Sequence, residues 1–440
     1  MANPRQLPQT VLNGRPDKYP MTGDRLYDYE YNLRNSEKLL KEDQKVRAED
    51  KRLIFSFMSH IKAQQVSIGR QAKYINLLRR CAQLIRVPFR KAKRRDMEDL
   101  VTKITDYEVQ SKKRNGTVTS TRHYSPETLS DFRMALKRFQ KFVRYGDTDK
   151  ETPFPDEVRW IKTTIKISDR QEKEYFNDKE AEAMIRAAVC VRDKALLSLW
   201  AEAGGRPSEI LLLKVGDVEF DDRGVKLHIR RGKTGSRTLR IISSVSFLTM
   251  YLETHSFKDD PNAPLWLSTS MNHLDQPWSW DGMNRMVKAT AKRAGIKKNK
   301  IHGYMFRHGS ATRNAKFLTD SELKKMYGWS MSSRMPAVYI HLNGDDLDAK
   351  YQQVYGPGRS VEPPKPTFAP PICPRCHEKG SPGMRFCPKC ASPLDEAERA
   401  KMALQFEKEK DEKAKLEQAY NLILNTPGLL EKLKEHSASP

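Results

Sequence analysis

Apolar residues recur at helical spacing through most of the chain. Between Tyr27 and Arg86 they fall three or four positions apart, with Gly69 and Pro88 as interruptions. The same spacing returns in seven further segments, at 126–144, 178–190, 192–203, 283–294, 306–317, 321–327 and 395–425. The pattern predicts a mainly α-helical protein.

One of these helices has a clear start. Ser125 and Pro126 suit the N-cap and first position of a helix. An apolar stripe follows, which we expect in the core: Phe132, Leu136, Phe139 and Phe142. Basic residues are interleaved with it: Arg133, Lys137, Arg138, Lys141 and Arg144. They predict either a solvated face or a surface that contacts DNA.

A short stretch alternates in the manner of β-strands. Residues 225–230 alternate strictly between apolar and polar, and residues 238–242 do so in part. Gly232 and Gly235 mark a turn between them, so the segment predicts an antiparallel hairpin. Gly232-Lys233-Thr234 is not a phosphate-binding loop, because Leu227 stands where that motif needs glycine and no helix follows.

The charge of the chain indicates an anionic partner. Its 440 residues carry 80 Lys and Arg against 56 Asp and Glu, a net charge of +24. Residues 51–150 alone hold 24 basic and nine acidic groups, a net charge of +15. We therefore expect double-stranded DNA as the partner and the N-terminal third as its main contact.

Neither a membrane segment nor a secretory signal is expected. Apolar runs such as residues 210–213 are too short for a span, and residues 1–23 are polar with scattered prolines. The prediction is a cytoplasmic protein associated with the nucleoid.

Four of the six cysteines form two closely spaced pairs. Cys373 and Cys376 are followed after ten residues by Cys387 and Cys390. Two such pairs bring four thiolates to one tetrahedral Zn²⁺, with no position open for a substrate. The segment predicts a zinc ribbon with one structural ion; two disulfides or idle thiols are the alternative.

Three blocks of the chain resemble the tyrosine recombinase, or phage-type integrase, family. The first runs from Glu202 through Arg206-Pro-Ser-Glu209 to a leucine run and an aspartate. The second is the hairpin with Lys233 in its turn. The third comprises residues 305–312 with Arg307, residues 327–330 with Trp329, and residues 337–341 with Tyr339. The resemblance covers about three quarters of the chain when the preceding basic helices are included, and the zinc ribbon is loosely associated with archaeal members.

The resemblance implies a catalytic set. Arg206 and Arg307 would bind the scissile phosphate, since guanidinium groups match its oxygens and stay charged. Lys233 would protonate the leaving 5′ oxygen, and Tyr339 would attack phosphorus to form a 3′-phosphotyrosine link. No cofactor would be needed for catalysis.

Two positions of the set have competing interpretations. The family usually has histidine where this chain has Tyr304, which could donate a hydrogen bond to phosphate but not accept a proton near neutral pH. Trp329 could donate its indole N–H to the phosphate or simply be a core residue. Tyr351 and Tyr355 lie near Tyr339 in sequence, but the family's spacing favours Tyr339.

The predicted fold is mainly α with a small antiparallel sheet. It comprises a helical core-binding domain, a tyrosine recombinase catalytic domain and a small zinc ribbon. The predicted boundaries are 1–22 for a flexible arm, 23–165 for the core-binding domain, 175–356 for the catalytic domain, 357–371 for a proline-rich linker, 372–394 for the ribbon and 395–440 for a charged helix.

The predicted function is site-specific DNA recombination or integration. The family resemblance implies a homotetramer on DNA, with residues 343–356 docking on a neighbouring subunit, and an archaeal or viral source. Two rival interpretations stay open. One is a catalytically inactive DNA-binding regulator that keeps the fold, and the other is an adaptor whose ribbon and C-terminal helix bind a protein partner.

Overall fold

The computed structural model describes residues 29–112, 117–164, 174–230, 235–340, 351, 355, 368–425 and 428. Within it the chain forms two compact units, one of residues 21–173 and one that contains residues 174–440. Several predicted features lie outside the described residues: the arm at 1–22, Lys233 in the hairpin turn, and most of the docking segment and of the linker.

The N-terminal unit is mainly helical, as the apolar spacing predicts. Its helices are α1 (Tyr29–Glu42), α2 (Ala48–Ala63), α3 (Ile68–Leu84), α4 (Arg94–Thr105), α5 (Pro126–Tyr145) and the short α6 (Asp156–Arg159). Gly69 lies inside the first turn of α3 rather than between helices. A hairpin that the sequence analysis missed, β1 (Val109–Lys112) with β2 (Val118–Arg122), separates α4 from α5.

Helix α5 supplies the centre of this unit's core. The Ser125 hydroxyl accepts a hydrogen bond from the Thr128 amide at 3.3 Å, which confirms the predicted helix start. Phe139 is fully buried, and its ring centroid lies 5.3 Å from Phe57 and 5.0 Å from Phe89. The predicted apolar stripe is therefore core, with its last member, Phe142, half-buried.

The basic face of α5 is less available than expected. Lys141 is buried and its ammonium donates to the Asp149 carbonyl. Arg144 donates to the Ala92 carbonyl at 2.9 Å and pairs with Glu157. These two cations have partners within the protein, so they do not belong to a solvated face.

The C-terminal unit surrounds a central helix. Its elements are α7 (Asp178–Ala187), α8 (Val191–Ala203), α9 (Pro207–Leu211), β3 (Val218–Asp221), β4 (Gly224–Ile229), β5 (Arg237–Ile241), α10 (Val245–Glu253), α11 (Trp280–Arg293), α12 (Tyr304–Asn314), α13 (Asp320–Tyr327) and α14 (Glu396–Asn425). Helix α8 is buried along most of its length between α7, α10, α12 and β5.

A small sheet stands beside α8. Strands β3, β4 and β5 pair antiparallel in that order, with Val225 opposite Ile241 and Ile229 opposite Arg237. This confirms the predicted hairpin and adds β3. Val225, Leu227 and Ile229 point into the core while their neighbours are half-buried, as the strict alternation requires.

The last helix differs from the others in its exposure. Helix α14 has 30 residues and none of them is buried. In the part of the chain that the structure describes, no helix combines the length and the apolar character needed to cross a membrane.

Candidate active site

A glycine turn places Arg206 at the start of α9. Helix α8 ends at Gly204, whose φ of 58° is left-handed and whose added Cβ would lie 2.6 Å from the Tyr327 ring, so only glycine fits. Arg206 follows as the N-cap of α9, ahead of Pro207. Its guanidinium donates to the Glu209 carboxylate at 2.7 Å and to the Gly328 carbonyl at 2.8 Å.

Arg307 lies on α12, which packs closely against α8. A Cβ at Gly303 would come within 2.0 Å of the Trp200 ring, so the glycine permits this close approach. The Arg307 side chain is 5% exposed and donates to the carbonyls of Gly204 at 3.0 Å and Tyr327 at 2.7 Å. Both arginines are thus anchored by backbone carbonyls.

Three consecutive backbone carbonyls at the C-terminal end of α13 each accept a hydrogen bond from an arginine. The carbonyls of Met326, Tyr327 and Gly328 receive hydrogen bonds from Arg237, Arg307 and Arg206, respectively. Carbonyls in the last turn of a helix lack partners within the helix and carry partial negative charge, which suits cations. One helix end therefore sets the spacing of three guanidinium groups.

A single carboxylate lies among these arginines. Glu209 is 1% exposed at its side chain, bonds Arg206 and Arg237, and lies 4.0 Å from Arg307. Burial alone would raise the pKa of Glu209, but hydrogen bonds from Arg237 and Arg206 lower it below its usual value. Burial, and next the charge of Arg206, lower the pKa of Arg307 to about 10. Three cations around one anion leave positive charge that suits a phosphate.

Tyr339 packs at the same corner of the unit. It is 7% exposed, and its ring lies parallel to that of Trp329, with centroids 5.6 Å apart and planes 6° apart. The Arg307 guanidinium lies 5.6 Å from the centroid of the same Trp329 ring. Burial raises the pKa of Tyr339 to about 12, and the positive charge of Arg307 opposes that rise.

The structure brings together most of the predicted catalytic residues. Arg206, Arg307, Trp329 and Tyr339 gather around the end of α13, where Gly328, with a left-handed φ of 57°, turns the chain toward Trp329. Tyr304 begins α12 and is 39% exposed. Trp329 is half-buried and its ring packs against those of Tyr327 and Tyr339. Lys233 lies outside the described residues.

Sequence reasoning overlooked two side chains at this site. Arg237, the first residue of β5, binds Glu209 through two hydrogen bonds of 3.1 and 2.7 Å. His308 lies 2.6 Å, at Nδ1, from the Tyr339 hydroxyl. The signal for His308 was its position beside Arg307, but nothing in the chain pattern pairs Arg237 with Glu209.

The four cysteines form a second site. Their sulfur atoms all lie within 4.8 Å of one another, and the pairs Cys373–Cys390 and Cys376–Cys387 are each 3.5 Å apart. A tetrahedral Zn²⁺ with bonds of about 2.3 Å needs sulfur atoms about 3.8 Å apart. The cluster is therefore consistent with a metal site, as its spacing predicts.

Two similar turns build this cluster. The amides of His377 and Ala391 donate to the carbonyls of Cys373 and Cys387, each at 3.0 Å, and both residues have a left-handed φ. Each cysteine pair thus closes one tight turn, which aims two sulfur atoms at a common point.

The segment that carries the four cysteines packs on helices of the same C-terminal unit rather than standing apart from them. Ser246 and Ser243 donate to the carbonyls of Lys379 and Phe368, each at 2.9 Å. A Cβ on Gly383 would lie 3.0 Å from Ile185 of α7. The Arg313 guanidinium lies 4.7 Å from the centroid of the Phe368 ring. Residues 368–394 therefore cover part of α7, α10 and α12.

Part of the chain is similar to a known family and to proteins within it. Residues 174–345 match the phage integrase family. Tyrosine recombinase XerC of Lactobacillus delbrueckii is 24% identical over 236 residues, which cover 51% of this chain and 76% of that protein. Transposase A from transposon Tn554 of Staphylococcus aureus is 23% identical over 206 residues, or 44% of this chain. The match spans 56% of the transposase, about half of its length.

Solved structures show the same fold. The XerH site-specific recombinase bound to palindromic difH substrate, a post-cleavage complex, superposes with a TM-score of 0.50 at 14% identity, covering 77% of this chain and 98% of that one. Its pre-cleavage complex on difH also gives 0.50 at 14% identity, covering 78% and 98%. The mainly helical fold with a small antiparallel sheet is that of tyrosine recombinases.

Proposed function

We propose, on the premise that residues 174–345 of this chain belong to the phage integrase family, that the protein is a site-specific DNA recombinase. It would cleave one DNA strand at a time, hold the end as a 3′-phosphotyrosine and rejoin it to another strand. The observation that carries the proposal is the gathering of Arg206, Arg307 and Tyr339 at the end of α13.

The arginines would bind the scissile phosphate. Arg206 and Arg307 are each held by backbone carbonyls, so little reorganisation is needed when negative charge develops on the phosphate oxygens. Arg237 would act indirectly. Because it forms an ion pair with Glu209, that carboxylate cannot fully neutralise the positive charges of Arg206 and Arg307. Tyr304, exposed at the start of α12, and Trp329 would each donate a hydrogen bond to the phosphate.

Tyr339 would be the nucleophile and Lys233 the general acid. As the Tyr339 oxygen bonds to phosphorus, the bond from phosphorus to the 5′ oxygen breaks and that oxygen takes a proton from Lys233. The covalent link conserves the phosphodiester bond energy, so religation by a 5′ hydroxyl needs no external energy source.

The N-terminal unit would provide most of the DNA affinity. Residues 51–150 carry a net charge of +15 and contact with phosphates does not depend on base sequence. Strand exchange joins two duplexes, so a homotetramer on DNA is the expected assembly, and the cytoplasm the expected compartment.

The cysteine cluster would hold one structural Zn²⁺. Its four sulfur atoms, Cys373, Cys376, Cys387 and Cys390, have the number and spacing that a closed tetrahedral site requires. The ion would supply cross-linking of the two turns and no reaction step. The charged helix α14, exposed along its length, would be free to bind a protein partner.

A suicide DNA substrate tests the proposal. A nick placed near the cleavage site lets the short released fragment diffuse away, which traps the covalent adduct for a denaturing gel. The wild type should form an adduct, whereas Tyr339→Phe should bind the same DNA and form none. An adduct with Tyr339→Phe would remove this residue from the role, and DNA binding without any adduct in the wild type would favour an inactive regulator.

A further inference from the structure

An imidazole contacts the proposed nucleophile at its reacting atom. His308 Nδ1 lies 2.6 Å from the Tyr339 hydroxyl oxygen, a normal hydrogen-bond distance. The two rings also stack, with centroids 5.9 Å apart and planes 28° apart, which limits the movement of either ring. In the tautomer that leaves Nδ1 unprotonated, this nitrogen accepts a hydrogen bond from the phenol across that distance.

The phenol needs such an acceptor. Burial raises the pKa of Tyr339 to about 12, despite the nearby charge of Arg307, so the hydroxyl is protonated at neutral pH. Attack on phosphorus therefore requires transfer of that proton to a base within hydrogen-bond reach. Neutral imidazole is the side chain whose ordinary pKa allows this near pH 7.

The position of this imidazole accounts for an irregularity in the sequence. The family resemblance leads one to expect histidine at 304, where this chain has tyrosine, and a phenol does not accept protons at neutral pH. Tyr304 and His308 are four residues apart on α12 and so lie on one face, with ring centroids 6.5 Å apart. The helix therefore presents an imidazole one turn beyond the usual position.

We infer that His308 is the proton acceptor for Tyr339 during strand cleavage, which rests on the function proposed above. The bond between the Tyr339 oxygen and phosphorus forms as the phenolic proton moves to Nδ1 of neutral His308. The bond from phosphorus to the 5′ oxygen breaks, and that oxygen is protonated by the general acid. Religation runs in reverse: the His308 imidazolium returns its proton to the departing Tyr339 oxygen.

Several other ionisable groups among the described residues lie near the pair. Arg307 and Tyr327 act on Tyr339 electrostatically, and burial raises the pKa of Tyr327 above its usual value near 10. Tyr304 faces His308 from the preceding turn. His302 lies beside Tyr304, with ring centroids 6.5 Å apart, and is the alternative imidazole to test.

Single-turnover cleavage of the nicked substrate between pH 5 and 9 tests the inference. His308→Gln keeps a hydrogen-bonding group near the phenol but cannot take up a proton in this range. Its cleavage rate at neutral pH should fall by about 10² to 10⁴ while DNA affinity is unchanged. The wild-type rate should decline on the acid side as His308 becomes protonated, and this limb should be absent in the variant.

A matched histidine variant and a chemical rescue complete the design. His302→Gln should cleave like the wild type, and added imidazole should partly restore cleavage by His308→Ala. Variants are compared only if they melt at the same temperature as the wild type. If a His308 variant does not, His308→Asn takes its place. The inference would be overturned if His308→Gln cleaved at the wild-type rate and kept the decline at acid pH. It would also be overturned if only His302→Gln lost that decline. Absence of an adduct in the wild type would instead refute the proposed function.

Discussion

The Arg237 guanidinium donates two hydrogen bonds to the Glu209 carboxylate, from Nη1 to one oxygen at 3.1 Å and from Nη2 to the other at 2.7 Å. The same carboxylate accepts hydrogen bonds from the Arg206 backbone amide and guanidinium. It therefore ties the start of α9 to the start of β5. Arg237 and Arg206 also bind the carbonyls of Met326 and Gly328, which fastens both elements to the end of α13.

Removing this carboxylate charge should weaken the fold as well as the reaction. In Glu209→Gln the buried guanidinium groups of Arg206 and Arg237 lose their shared counter-ion, which should lower the free energy of unfolding by about 3–5 kcal/mol. Denaturant unfolding of residues 174–440 measures this. Glu219→Gln is the control, because Glu219 is a surface carboxylate on the same sheet, and its unfolding midpoint should match the wild type. Equal midpoints for both variants would contradict the assigned role of Glu209.

The same contact predicts how stability changes with pH. Hydrogen bonds from Arg237 and Arg206 lower the pKa of Glu209 despite its burial. The unfolded chain therefore takes up this proton at higher pH than the folded chain. The stabilisation is complete above the unfolded pKa, near 4.3 for glutamate, and is lost as pH falls through the lower folded value. Acid unfolding should be correspondingly shallower in Glu209→Gln, and an unchanged acid slope would argue against this linkage.

Loss of either arginine that we propose to bind the phosphate should slow cleavage. Arg206→Ala and Arg307→Ala should each reduce the rate of adduct formation by about 10² or more, the scale of removing one preorganised donor. Arg307→Ala should also lower thermal stability, because Arg307 is more deeply buried and bonds two carbonyls. Arg223→Ala, on the exposed turn between β3 and β4, is the matched control. Cleavage at the wild-type rate by both active-site variants would contradict the phosphate-binding role.

Metal removal should affect more than the ribbon. Because residues 368–394 contact Ser243, Ser246 and Ile185 of the C-terminal unit, Cys373→Ser or a chelator should lower that unit's melting temperature along with the proposed zinc content. A chain ending after Ala400, which loses most of the exposed helix α14, should melt like the full protein. An equal melting temperature with and without chelator would show that this packing contributes no stability.

That packing also refines the expectation for a shortened chain. A chain ending near Gly358 should still cleave the suicide substrate in the presence of chelator, because no metal takes part in the proposed chemistry. It should melt at lower temperature than the full chain, since Phe368 no longer covers Arg313. Loss of cleavage on chelation of this shortened protein would indicate a metal in the reaction and contradict the tyrosine mechanism.

The N-terminal unit should govern the salt dependence of DNA binding. A protein that begins at Glu174, the first residue of the C-terminal unit, lacks the net charge of +15 in residues 51–150. The slope of log K against log salt concentration should be much shallower than for the full chain. Lys141 is buried and Arg144 is paired with Glu157, so Lys141→Ala should not change that slope. Equal slopes for the two chain lengths would place the main phosphate contacts elsewhere.

Local pattern was enough to predict most of the helices and the hairpin. Apolar spacing and strict alternation depend on which face of an element is buried, and that information lies within a few turns of chain. The hairpin β1–β2 was not predicted, because all five residues of β2 are exposed and its sequence pattern therefore shows no apolar face.

The site shows a different limit. Arg206 and Arg307 are predicted as site residues from the motif, but their common anchor, the carbonyls at the end of α13, depends on how α8, α12 and α13 pack. Arg237 lies 28 residues from Glu209 and resembles any polar strand residue until β5 is placed beside α9. The contact between His308 and Tyr339 spans 31 residues for the same reason. Pairings of this kind are properties of the packing and not of any local segment.

Under the proposed function, the cluster of Arg206, Arg237 and Arg307 around Glu209 would link substrate binding to folding. The folded chain holds three positive charges close together, whereas unfolding moves them apart. Their mutual repulsion therefore lowers the free energy of unfolding. An oxyanion bound at the cluster relieves that repulsion and binds only the folded chain. By mass action it raises the free energy of unfolding by about 2.7 kcal/mol at a hundred times its dissociation constant. DNA would thus act as a stabilising ligand, and the protein would resist heat or proteolysis best when it is loaded at its target.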